Sequence, residues 1–358
     1  MSKLGLLLLI TICTSTVQSQ ERSVDPRSSA PKNVQQKNKV KASAIFMAGL
    51  DEFDKGNYET SYYKFSEASE QKNISREEKG IALYNSALSL ERMKKYKKAI
   101  EQYTLLSSDQ STRDLFKDSY YRISACCHNT KDWACVIGSM ENWKNYGKPL
   151  SLSEEFEYRI RKGTALYHLK LYRDAIEYIS SATKVLNSNK SFIYSDARKR
   201  GFDDGKINQL ALWGLEAMAG SYKTTGDSIN ISYTEEDEGK INMESLSRLL
   251  ELKAYYYLRS QDAYLEMLNY GDKDSATKGL FLLGELYGDI YKNLLGSEIP
   301  PDIKKLKLEK TYTNKLKETL RPIKEKAKTT YKKNVELSAK YKFTNEWTEK
   351  SSKALLSL

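Results

Sequence analysis

Six prolines and 18 glycines in 358 residues are few, and a chain so short of turn formers and helix breakers is built from long helices. The phosphate-cradling G-x-x-x-x-G-K-[ST], the dinucleotide G-x-G-x-x-G and the zinc-binding H-E-x-x-H are all missing. So is the nucleophile elbow G-x-S-x-G. The many Asp and Glu lie on charged helices, where they form solvated faces. No catalytic residue and no cofactor is expected, and the chain is not read as an enzyme. After residue 12 no stretch approaches the roughly 20 apolar residues that a membrane-spanning helix needs.

What is present begins with Met1-Ser2-Lys3, a short positive start, followed by a largely apolar run from Leu4 to Ile12. Val17 and Ser19 stand at −3 and −1 of a cleavage point after Ser19. Residues 1–19 therefore read as a signal peptide and 20–40, polar and holding Pro26 and Pro31, as a flexible tether. The expected location is periplasmic. A lipid anchor on Cys13 is the less favoured alternative, because Ile12 precedes it where lipoprotein signals take Gly, Ala or Ser. Lys and Arg outnumber Asp and Glu by 58 to 47, and there are 26 tyrosines. Basic charge with aromatics is the composition of a nucleic-acid binder, but export argues against that partner.

Four hairpins repeat in register. An aromatic opens the second helix of each, at Tyr58, Tyr96, Trp133 and Tyr172, with intervals of 38, 37 and 39. Pairs twelve residues apart mark the helix crossings: Gly49 and Ser61, Ala87 and Ala99, Ser124 and Val136, Gly163 and Ala175. A deeper position recurs as Phe65, Tyr103, Met140 and Ile179. This is the pattern of the tetratricopeptide repeat (TPR), lengthened by extra residues after each second helix. The expected fold is all-α, a right-handed TPR superhelix (α-solenoid) continued by longer, irregular C-terminal helices. Residues 41–188 carry the four repeats and 189–358 a degenerate TPR-like module. In that module helices are expected over Leu210–Thr224, Glu244–Asn269, Lys278–Leu295 and most of Lys304–Leu356. Gly226-Asp227 is expected to turn the chain into an exposed insertion, and Pro322 to start or kink a helix.

In the TPR template the first helices line a concave groove. That selects Phe46, Leu50 and Phe53, then Tyr84, Leu88 and Arg92, then Tyr121, His128 and Asn129, and finally Ile160, Thr164, Tyr167 and His168. Tyrosine joins a large apolar ring to a hydrogen-bonding tip, which suits a surface that takes a peptide. The alternative for each residue is packing against the next repeat. Cys126-Cys127-His128 with Cys135 does not form a metal site, because consecutive helical residues point about 100° apart. A bridge across the hairpin, with Cys127 and Cys135 as the candidate pair, stands beside free cysteines in the core.

Pro301 to Leu358 holds 16 Lys or Arg against 7 Asp or Glu. These basic helices are either a solvated face or a surface for an acidic partner, an anionic lipid surface or the anionic cell-wall polymer. The last hundred residues also carry "AYLEMLNYGD" (Ala263–Asp272), "LLGELYGDIY" (Leu282–Tyr291), Ile299-Pro300-Pro301, Tyr312, Leu320, Pro322, Ala327, Tyr331 and Asn345-Glu346-Trp347. In these the chain resembles bacterial periplasmic TPR proteins, among them those of the adventurous gliding motility envelope complex. Lys273-Asp274-Ser275 departs from the Pro-Glu-Trp or similar group usual there. The resemblance implies a non-catalytic scaffold whose partners are other envelope proteins or peptides. The alternative is an outer-membrane- or cell-wall-associated lipoprotein that contributes to envelope assembly.

Overall fold

The computed structural model describes residues 43–357, apart from 73, 109, 148 and 232–242. The expected signal peptide, the tether, Cys13 and the acidic run Glu235–Glu238 lie outside the described residues. The chain is all-helical, with no strand among the described residues, and helices adjacent in sequence pack as pairs.

Two compact units divide the chain. The first runs to Leu171 and resumes over Ser181–Asp204. It contains α1 (Ala44–Asp54), α2 (Tyr58–Ser69), α3 (Arg76–Arg92), α4 (Tyr96–Ser108), α5 (Phe116–Thr130), α6 (Trp133–Asn145), α7 (Leu152–His168) and α9 (Lys190–Lys199). α8 (Tyr172–Ser188) begins in the second unit and ends in the first. The aromatics at 58, 96, 133 and 172 thus open their helices at the expected residues.

The turns before them share one backbone geometry. Gly56, Lys94, Lys131 and Lys170, each two residues ahead of the aromatic, take φ of 82°, 60°, 59° and 64°. In each turn the following N–H reaches back five residues, as from Lys95 to Leu90 (2.9 Å), Asp132 to Cys127 (2.9 Å) and Leu171 to Leu166 (2.9 Å). That left-handed residue with its 6→1 bond closes the exposed carbonyls of a helix end and turns the chain sharply. The helix starts are fixed as locally: Ser75 and Glu78 form a capping box on α3, and the Asp132 carboxylate accepts from Cys135 N–H (3.0 Å) on α6.

Small residues set the crossings. A Cβ on Gly49 would stand 2.9 Å from the Phe65 ring, and the Ser61 hydroxyl donates to Gly49 O at 2.9 Å. Ala87, Ala99, Ser124 and Val136 are fully or almost fully buried, and Gly163 and Ala175 are buried as well. The extra residues after α4 form a 3-10 turn (Gln110–Leu115), held where Thr112 Oγ1 donates to Leu106 O at 2.6 Å.

The second unit holds Tyr172–Ser180 and the chain from Gly205 onward. Its helices are α10 (Asp204–Ser228), α11 (Met243–Met267), α12 (Lys273–Leu295), α13 (Pro301–Lys305), α14 (Glu309–Tyr341) and α15 (Glu346–Ser357). One expectation fails here and another is decided in part. Gly226-Asp227 is no turn but the last turn of α10, where the Lys253 ammonium caps Gly226 O and Ile229 O at 2.9 Å each. Pro322 neither starts a helix nor ends one, for α14 runs through it for 33 residues. Pro322 is exposed, so the carbonyl four residues back that it leaves without an amide lies on the wet side. α12 and α14 meet at Gly284, where an added Cβ would stand 2.5 Å from the Tyr331 ring.

Candidate partner-binding groove

The residues expected to line a groove fall into three groups. Phe46 and Phe53 are spent within their own hairpin, on Phe65 (ring centroids 5.3 Å) and Tyr58 (5.2 Å). His128 and His168 converge on Trp133: His168 stacks on it at 4.0 Å and 10°, His128 meets it edge-on at 5.3 Å, and Tyr167 lies 5.1 Å from His168. Asn129 is exposed and donates only back to Ala125 O of its own helix (2.9 Å). Tyr84 and Tyr121 belong to the third group, a charged relay that links the successive first helices α3, α5 and α7.

Tyr84 is 4% exposed and packs edge-on against Tyr103 at 5.5 Å. From the next repeat Arg122 donates to the Tyr84 hydroxyl (3.4 Å) and pairs with Glu91 (3.2 Å), which also accepts from Tyr103 Oη (3.2 Å). Tyr121 points the other way, donating to Glu157 on α7 at 3.1 Å. Glu157 pairs in turn with Arg161 (2.9 Å) and Arg200 (3.5 Å), while Lys117 and Arg200 reach Glu154 at 3.0 and 3.9 Å. Arg161 lies over the Tyr121 ring at 5.3 Å and Arg200 over Trp143 at 6.0 Å. Burial pushes the Tyr121 phenol up to about 12, and the Glu157 charge adds to the rise. Two groove positions keep buried polar atoms without a protein partner, Arg92 Nε and Thr164 Oγ1.

Asp118 stands at the centre of this field. Loss of solvent lifts its carboxyl above the ordinary range, against the pull of Arg122, Lys117 and Arg200 and with a smaller push from Glu154. Its side chain is nonetheless exposed. The carboxylate is thus crowded by protein atoms on one side, with Lys117 and Arg122 near it, and open to solvent on the other.

The Cys127 and Cys135 sulfurs are bonded (1.96 Å, Cα–Cα 5.8 Å), tying α5 to α6 beneath the Trp133 cluster, and Cys126 is buried with its thiol pushed up by burial. No group of His, Cys, Asp and Glu among the described residues could hold a metal ion. No helix among them is long and apolar enough to cross a membrane.

No family model matches the chain, and no curated protein does. What the groove can do is accordingly read from its own residues. Asp118, Arg122, Glu157, Arg161 and Arg200 were not singled out by the sequence. A signal for four of them was present, since Asp118 and Glu157 hold equivalent repeat positions and each is followed four residues later by Arg. Arg200, beyond the repeats, gave none.

Proposed function

We propose that the protein is an exported, non-catalytic TPR-type adaptor, a superhelix whose concave face holds segments of other envelope proteins. The observation that carries this reading is Asp118: an open carboxylate, crowded by Lys117, Arg122 and Arg200, on the helix face where the template places a partner. The four turns of equal geometry support the repeat architecture. The N-terminal pattern and the resemblance of the last hundred residues to periplasmic TPR proteins of motility-type complexes supply the setting.

Because Tyr84 and Tyr121 hold neighbouring repeats together, removing them would confound binding with stability. Asp118→Asn is the cleaner probe, since it removes the charge without setting a fourth cation beside Lys117, Arg122 and Arg200. Pull-down from the native envelope fraction should recover a defined partner with the wild-type chain and lose it with the variant, at an unchanged melting temperature. Equal recovery by both would sink the groove reading.

A further inference from the structure

We propose that the turn between α13 and α14, with the adjoining flank of α14, is a docking surface for an anionic phospholipid bilayer. The turn is pinned: Lys307 takes φ 56°, Leu308 N–H reaches Ile303 O at 3.0 Å and Lys307 N–H reaches Lys304 O at 3.1 Å. It displays Leu306 and Leu308 to solvent, 66% and 44% exposed. One exposed leucine needs no explanation. Two leucines flanking one residue of a fixed turn, bordered by Lys304 (paired with Glu298 at 3.4 Å), Lys305, Lys307 and Lys310 and by the single carboxylate of Glu309, form an apolar tip with a net-cationic rim.

The rim continues along the helix. Lys310, Asn314, Lys317, Arg321, Lys324 and Lys328 follow at spacings of four and three, which places them on one flank of α14 with no carboxylate in the row. The face about 100° round the helix from this row is buried through Leu316, Leu320, Ile323 and Ala327. Among the described residues Lys305, Lys307, Lys310, Lys317 and Arg321 make no ion pair. The lysines alone would suit any polyanion, including an acidic protein or a cell-wall polymer. The leucines decide between them, because apolar side chains gain from entering the headgroup boundary and gain nothing against a hydrophilic polymer. Each basic residue near an anionic surface adds to the attraction, which salt screens. None of these residues lies in the groove, so this inference stands or falls separately from the adaptor reading.

The test is co-sedimentation of the full chain with unilamellar vesicles of phosphatidylcholine, with and without phosphatidylglycerol. Binding is expected only to the anionic vesicles, falling as salt rises. Leu306→Ser with Leu308→Ser should weaken it at least about tenfold at unchanged charge. Lys310→Glu, Lys317→Glu and Arg321→Glu together should abolish it, each charge being worth about fivefold or more. All five positions are at the surface, and melting curves check that both variants fold. Failure of the wild-type chain to bind anionic vesicles would overturn the proposal. So would undiminished vesicle binding by the leucine variant, which would make the surface a charge-only site.

Discussion

Three of the four repeat turns place a lysine where the backbone is left-handed, a conformation costing a side-chain-bearing residue about 1 kcal/mol or more. Glycine removes that strain but loosens the unfolded chain, so the net gain is a fraction of it. Lys94→Gly, Lys131→Gly and Lys170→Gly should each stabilise the protein by a few tenths to about 1 kcal/mol in urea titrations. Gly56→Ala, at φ 82°, should destabilise it by about 1 kcal/mol, reversing the sign at the equivalent position. A second residue-scale case is Gly284. Its added Cβ would meet the Tyr331 ring at 2.5 Å, so Gly284→Ala should cost about 1–3 kcal/mol through overpacking. Among the described residues, alkylation without reductant should label only Cys126, slowly until denaturant exposes it. Reduction of the bridge, which spans only eight residues of sequence, should lower stability by about 2.5 kcal/mol. Two labelled sites without reductant, or none after denaturation, would contradict that assignment.

At the scale of elements, the first unit is tied together by polar contacts as well as by its apolar crossings. Glu157 and Arg161 have side chains 2% and 4% exposed, and Glu157 is also approached by Arg200 and Tyr121. Glu157→Ala would strand the Arg161 guanidinium and the Tyr121 phenol in a dry site, while Arg200 keeps Glu154, so a loss of about 3 kcal/mol is expected in denaturant melts. A loss below about 1 kcal/mol would mean that solvent reaches the pair. The hairpins were legible in the sequence because each rests on local signals: an aromatic at the helix start, small residues twelve apart, and short turns. The relay was not, because its links between repeats join residues 31 or more apart and are chosen by how the repeats pack. Gly226, and Pro322 as a helix start, misled for a related reason. Read alone they are breakers, but α14 exposes its proline to water and α10 has a lysine from α11 to cap its end.

For the whole molecule, the abundance of tyrosine has a consequence for stability at high pH. Burial raises the phenol pKa values of Tyr84, Tyr103, Tyr257 and Tyr331, and takes that of Tyr121 to about 12. A phenol that keeps its proton longer when folded than its unfolded value of about 10 carries stability that is full below about pH 10. That stability is lost as pH rises toward about 12. Cooperative unfolding should therefore set in above about pH 10, together with a jump in tyrosinate absorbance. Complete conversion of all 26 tyrosines to tyrosinate by about pH 11 in a still-folded protein would contradict the burial of these rings. The adaptor reading also fixes the N-terminus: sequencing of the mature protein should begin at Gln20, and retention of Met1 would contradict export by a cleaved signal.

The proposed groove is tested most directly by a photo-crosslinking amino acid placed at Asp118, exposed on the first helix of its hairpin, or at Glu101, exposed on the second helix of its hairpin. In the native cells the residue at 118 should crosslink a discrete partner that the residue at 101 does not reach. The same yield from both positions, or none from 118, would contradict a partner-holding groove.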